Sequence, residues 1–154
     1  MRKIIYLLIL TVPFCLSACK KKTQAQIDDD TIKSYISSHH LNATLQANGV
    51  YFAPVSGGNG LYATNATIAT VTYKGYLAND SVFDQQTSPY TCHLDAIVPG
   101  LWEGISFMQR GQSAVILIPS ALGYAGAAEQ GVNGYASIPA NSVLIFNINL
   151  ISFQ

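Results

Sequence analysis

Pro99-Gly100-Leu101-Trp102-Glu103-Gly104-Ile105-Ser106-Phe107-Met108-Gln109 is the stretch that decides the fold of this 154-residue chain. It opens on proline, which is preorganised for a first helical turn, and Gly111 follows its end, a residue type that readily stops one. Leu101, Ile105 and Met108 stand at i, i+4 and i+7, so one face of the segment is apolar, and Trp102 is turned about 100° away from that of Leu101. The spacing predicts one short helix over 99–109.

On either side of it the pattern is that of strands. Val50 to Val55, Ile68 to Tyr76, Ser113 to Ile118 and Val143 to Phe153 are β-branched and aromatic runs, bounded by turn residues such as Gly57-Gly58-Asn59-Gly60. Asn79-Asp80, between Leu77 and Val82, suits a tight hairpin, because both side chains tolerate left-handed backbone angles. One short helix against a mostly antiparallel sheet is an α+β domain, which we place at residues 49–154.

The length is that of one domain, and 49% hydrophobic residues against 10% charged supply a packed core. The formal charge is zero but unevenly spread. Arg2, Lys3, Lys20, Lys21, Lys22 and Lys33 hold six of the eight bases, which leaves Lys74 and Arg110 against Asp80, Asp84, Asp95, Glu103 and Glu129 in the domain. An acidic domain offers no surface for tracking phosphates, so nucleic acid is not expected as a partner.

Arg2 and Lys3 precede an apolar run from Ile4 to Leu10, and small Ser17 and Ala18 stand just ahead of Cys19. The segment is too short to span a membrane and reads as a secretory signal. Leu16-Ser17-Ala18-Cys19 resembles a bacterial lipobox. That likeness implies a lipoprotein signal peptide over 1–18, a lipidated Cys19 as the first mature residue, and a bacterial cell-envelope location, at the periplasmic face or the cell surface, held to the membrane through the N-terminal lipid. A cleaved signal for soluble export is the alternative. With Cys15 in the signal and Cys19 acylated, Cys92 stands alone and no internal disulfide can form. Asp28, Asp29 and Asp30 ahead of Ile32, Tyr35 and Ile36 predict a short amphipathic helix near 28–38, inside a tether of residues 19–48 that spaces the domain from the membrane.

Several chemistries find no support. His39, His40 and His93 have no pairing that would aim two ring nitrogens at one metal, so neither a metal nor a cofactor is expected. Cys92 and His93 are neighbours on a strand and point to opposite faces, which disqualifies them as nucleophile and base; a buried Cys92 is the expected state. No nucleophile elbow, P-loop or dinucleotide fingerprint is present.

What remains is a set of aromatic residues with one acid among them. In order, the stretches are Val71-Thr72-Tyr73-Lys74-Gly75, Val82-Phe83-Asp84, Ile97-Val98-Pro99-Gly100, Glu103-Gly104, Ile118-Pro119, Leu122-Gly123-Tyr124 and Ile138-Pro139-Ala140-Asn141-Ser142-Val143-Leu144-Ile145-Phe146. Together they resemble the FKBP-type peptidyl-prolyl cis-trans isomerases, the family that includes the receptors of the immunosuppressive macrolides. The resemblance implies an antiparallel sheet wrapped around one short helix. It also implies an isomerase that turns X–Pro bonds, with proline-containing exported polypeptides as partners. It further implies a pocket walled by Tyr73, Phe83, Tyr90, Ile97, Val98 and Phe146. Tyr124 would donate to a bound carbonyl, the Val98 N–H would meet another, Asp84 would be the buried acid beside the imide, and Ile138 would lie at the rim. Phe83, Asp84 and Tyr124 are then the catalytic candidates.

Two positions depart from the family pattern. Many members have Trp at the pocket floor, where the helix phase here puts Leu101, so macrolide binding is expected to weaken more than catalysis. Ala125 stands where Gly usually follows the pocket tyrosine. Strand aromatics such as Tyr73, Phe83 and Phe146 can equally be plain core, and Asp84 discriminates, because a carboxylate is costly to bury without a purpose. A catalytically weak envelope chaperone or binding module of the same fold is the second reading, with Leu101 as the feature that favours it. The chain reads as a monomer, no dimerisation helix being evident.

Overall fold

The computed structural model describes residues 21–131 and 134–154, so the signal segment 1–18 and Cys19 lie outside the described residues. Six strands form one sheet: β1 (Thr44–Leu45), β2 (Tyr51–Ser56), β3 (Ile68–Leu77), β4 (Val82–His93), β5 (Ser113–Ile118) and β6 (Leu144–Phe153). Their order is β1-β2-β5-β6-β3-β4, and every pairing is antiparallel. Helices α1 (Gln24–Ser38) and α2 (Pro99–Ser106) cover opposite faces.

The alternation of β5 shows why both faces must be covered. Ala114, Ile116 and Ile118 join the core beneath α2, while Val115 and Leu117 join the core beneath α1. The run is buried throughout, as expected of a strand with no solvent face. Leu144, Phe146, Ile148 and Leu150 of β6 extend the α2 core, and Ile145 the α1 core. Gly104 brings α2 close to the sheet, since a Cβ there would lie 2.5 Å from the Ile116 Cγ2. Leu101, Ile105 and Met108 are buried as their spacing requires, and Trp102 remains 44% exposed. The α-helix stops at Ser106, earlier than expected. Its last turn tightens, with the Met108 N–H reaching the Ile105 carbonyl at 2.9 Å, and the Gln112 side chain takes the Gln109 N–H at 2.8 Å.

The hairpin at Asn79-Asp80 forms with Asp80 at φ 64°. Beyond it, β4 runs for 12 residues as an edge strand paired only to β3. Its register jumps between the Tyr73–Gln86 and Val71–Tyr90 pairs, so Thr87-Ser88-Pro89 bulges outward. A proline is tolerated there because an edge strand needs no outward N–H.

The helix expected near 28–38 starts earlier and is no spacer. Thr23 and Gln26 close a capping box, the Thr23 Oγ1 accepting from the Gln26 N–H at 3.3 Å and the Gln26 Oε1 from the Thr23 N–H at 3.0 Å. Ile32 is fully buried and Tyr35 nearly so, against Tyr51, Ala53, Val115, Leu117 and Ile145. The Tyr35 hydroxyl donates to Asp80 at 3.0 Å, and its ring stacks on His39 with centroids 3.8 Å apart. A polar run becomes a docked element because its few apolar residues share one face and meet the otherwise bare side of the sheet.

Candidate active site

Between the sheet, the start of α2 and the segment after β5 lies a cavity of about 330 Å³, a size suited to a small apolar group. Its walls are Val71, Tyr73, Phe83, Asp84, Tyr90, Cys92, Ala96, Ile97, Val98, Leu101, Ile105, Tyr124, Phe146 and Ile148. Nine of the ten residues expected from the sequence are therefore together. Ile138, expected at the rim, is instead 6% exposed within the core, where it bridges to Glu129. Pairing its backbone with Glu129 turns the apolar side chain inward.

The aromatic wall rests on a glycine. Gly75 of β3 faces Phe146 of β6, and a Cβ on Gly75 would meet the Phe83 Cζ at 2.6 Å. With no Cβ there, the Phe83 ring lies on the sheet and meets Phe146 edge-on, with centroids 5.4 Å apart at 87°. Tyr73 packs on the same ring at 5.9 Å and 64°. Such edge-to-face pairs fix ring positions as well as burying area.

Among the described residues, Asp84 is the one charged side chain of the lining. The Tyr73 hydroxyl donates to its Oδ2 at 2.6 Å, a charge-assisted bond that orients both groups. Burial, followed by the bond to Asp84, raises the Tyr73 pKa, so the phenol stays a donor. The resemblance implies that Asp84 is a buried acid. It is only partly so, because the cavity it lines is open on one side.

Tyr124 follows a 3-10 turn at Ser120–Leu122 and is 37% exposed at the cavity wall. Burial, then the negative charges of Glu129 and Asp84, raise its pKa and keep its O–H on as a donor. Ala125 takes up the left-handed conformation, φ 51°, which glycine adopts far more readily. A side chain at that angle is strained by about 1–2 kcal/mol. The Ala125 N–H donates to the Ser120 carbonyl at 2.8 Å, and the Ala125 carbonyl accepts from Asn141 at 2.7 Å, which holds it there. Val98 precedes α2, and its carbonyl accepts from the Leu101 N–H at 3.0 Å. Among the described residues, no group accepts from the Val98 N–H.

Val71, Cys92, Ala96, Ile105 and Ile148 also line the cavity and were not expected. Strand alternation was the available signal. Val71 is two residues from Tyr73, Cys92 two from Tyr90 and Ile148 two from Phe146, so each shares its neighbour's face. Cys92 is half-buried rather than buried; its thiol donates to the Ala69 carbonyl, and burial raises its pKa, which disfavours the thiolate. A wider depression of about 450 Å³ on the sheet, lined by Thr72, Lys74, Asn147 and Asn149 among others, is open and has no comparable aromatic wall.

Residues 61–151 match the family described as FKBP-type peptidyl-prolyl cis-trans isomerase. The FKBP-type peptidyl-prolyl cis-trans isomerase FkpA of Buchnera aphidicola subsp. Baizongia pistaciae is 34% identical over 111 residues, covering 70% of this chain and 42% of that protein. The crystal structure of FkpA from Escherichia coli superposes with a TM-score of 0.66 at 25% identity, over 82% of this chain and 59% of that one. A peptidyl-prolyl cis-trans isomerase from Pseudomonas syringae pv. tomato gives 0.65 over 88% of this chain and 99% of that one; at 22% identity it bears on the fold alone. The matches span between 37% and 51% of the curated relatives' lengths, so the chain corresponds to about half or less of each. With the antiparallel sheet, the aromatic cavity and this match in hand, the chain belongs to the FKBP-type peptidyl-prolyl cis-trans isomerase family.

Proposed function

We propose that this protein catalyses cis-trans isomerisation of X–Pro bonds in exported polypeptides, and that it does so in the bacterial cell envelope, at the periplasmic face or the cell surface, lipidated at Cys19. The observation that carries the reading is the meeting, in one cavity, of the Tyr73–Phe83–Phe146 ring cluster, the Asp84–Tyr73 pair and Tyr124.

An X–Pro bond resists rotation because amide resonance must be lost, a barrier of roughly 18–20 kcal/mol, so the unaided turn takes tens of seconds or more. Midway through, the carbonyl is less charge-separated and the nitrogen more pyramidal. An apolar, ring-walled cavity suits that form better than water does, and about 1.4 kcal/mol of selective stabilisation gives each tenfold in rate. Proline fits against Phe83, Phe146 and the Leu101 floor. The Tyr124 hydroxyl and the Val98 N–H are donors set for substrate carbonyls. Asp84, held by Tyr73, places a fixed negative charge beside the imide without moving a proton. No general base and no covalent intermediate is required.

The experiment is proline-limited refolding of a reduced, unfolded secreted protein, with the mature chain added in substoichiometric amount. A rate rising with enzyme concentration, and falling at least tenfold in Asp84→Ala, supports the reading. Refolding at the uncatalysed rate, with the unfolded chain nonetheless bound, assigns the fold to a binding module instead. The location is tested by Cys19→Ala, which should lose the acyl mass and leave the membrane fraction.

A further inference from the structure

Asp28 lies on the face of α1 turned to the sheet and is 3% exposed. Its Oδ2 accepts from the Ser120 backbone N–H at 2.8 Å and from the Ser120 Oγ at 2.6 Å, while the Gln24 Nε2 donates to Oδ1 at 2.7 Å. A carboxylate is a costly group to bury and persists only with its partners complete. Docking the helix does not call for it, since Ile32 and Tyr35 already bury the apolar face of α1.

Ser120 is where that carboxylate acts. It is 2% exposed, and its carbonyl accepts from both the Gly123 N–H at 3.0 Å and the Ala125 N–H at 2.8 Å. These two residues flank Tyr124. Ala125 is in the strained left-handed conformation, which lasts only where its surroundings dictate it. One hydrogen-bonded relay thus runs from Asp28 through Ser120 to both neighbours of the cavity phenol.

We propose that Asp28 is a positioning residue for Tyr124: the carboxylate of α1 fixes the 120–125 turn and so sets the hydroxyl that meets the bound carbonyl. The proposal rests on the isomerase reading above. It makes α1, which lies before the matched residues 61–151, part of the working site.

The test compares Asp28→Ala, Asp28→Asn and Ile32→Ala in the mature chain, all confirmed folded by circular dichroism at the assay temperature. Ile32→Ala removes buried apolar area from α1 without deleting the Asp28 carboxylate. Asp28→Ala should lower kcat/KM on a proline tetrapeptide about five- to tenfold, as expected when a reacting group is misplaced from a distance. Asp28→Asn, which keeps an acceptor oxygen for Ser120, should recover most of that loss, and Ile32→Ala should stay within twofold. Combining Asp28→Ala with Tyr124→Phe should add little further loss, because both act through one hydroxyl. Hydrogen exchange at the Gly123 and Ala125 amides reads the clamp without catalysis and should accelerate at least tenfold in Asp28→Ala alone. Fully multiplicative losses, or unchanged exchange at those amides, overturn the proposal. If the parent chain shows no isomerisation, the functional reading fails separately, and exchange still decides whether Asp28 holds the turn.

Discussion

Gly75→Ala tests the construction of the aromatic wall. The added methyl would lie 2.6, 2.8 and 3.1 Å from three carbons of the Phe83 ring. Carbon atoms in contact rest about 3.5–4.0 Å apart, so the ring must retreat by roughly 1 Å. Phe83 is 6% exposed, so the only open direction is into the cavity or away from Phe146. Overpacking of this kind costs about 1–3 kcal/mol, and losing the edge-to-face pair forfeits part of a further 0.5–1.5 kcal/mol. Urea unfolding should therefore show a loss of about 2 kcal/mol, and kcat/KM on a proline tetrapeptide should fall about tenfold, the equivalent of 1.4 kcal/mol in the barrier. Phe83→Leu removes the ring that clashes, so Gly75→Ala should cost much less when made in that background. Gly75→Ala with unchanged stability and activity would show that Phe83 does not need the glycine and would refute the reasoning.

Further outcomes follow from neighbouring contacts. Tyr73→Phe keeps the ring against Phe146 but removes the donor to Asp84; it should cost about 1.5 kcal/mol in urea unfolding and reduce kcat/KM several-fold. Leu101→Trp puts an aromatic floor beneath the cavity that Leu101 now lines; macrolide affinity measured by calorimetry should rise about tenfold, worth 1.4 kcal/mol, and unchanged affinity would show that the floor does not limit binding. Burial, followed by the bond to Asp29, pushes the Tyr51 pKa up to about 12, against about 10 in an unfolded chain. The folded state then holds its proton longer than the unfolded one. That contribution to stability is whole below about pH 10 and disappears as pH rises through about 12. Melting temperature should fall across this window, and less steeply in Tyr51→Phe.

The sheet and the cavity were legible for the same reason. Ala114, Ile116 and Ile118 against Val115 and Leu117, or Phe146 against Ile148, carry their faces in a period of two, and the phase of α2 alone separates Leu101 from Trp102. The assignment of Leu101 to the floor came from that phase, whereas the roles of Asp84 and Tyr124 came from resemblance. Three features escaped. Gln85-Gln86-Thr87-Ser88-Pro89 has no apolar alternation, because β4 is an edge strand that leaves the sheet at a bulge. The Asp28–Ser120 anchor between α1 and the turn after β5 was hidden because Asp28 reads as a first-turn acid, while its partner is 92 residues away in sequence. Ile138 was misplaced because its direction is set by the bridge to Glu129, a pairing that no local pattern announces.

The central claim is that this cavity lowers the barrier to turning a proline imide. The most direct measurement is exchange spectroscopy by NMR on a short X–Pro peptide at equilibrium, which reads cis-trans interconversion with no coupled protease. Catalytic amounts of the protein should bring an exchange that otherwise takes tens of seconds into the sub-second range, with most of that gain lost in Tyr124→Phe and Asp84→Ala. Cross-peaks that build up at the uncatalysed rate, in the presence of a folded chain whose cavity binds the peptide, would contradict it.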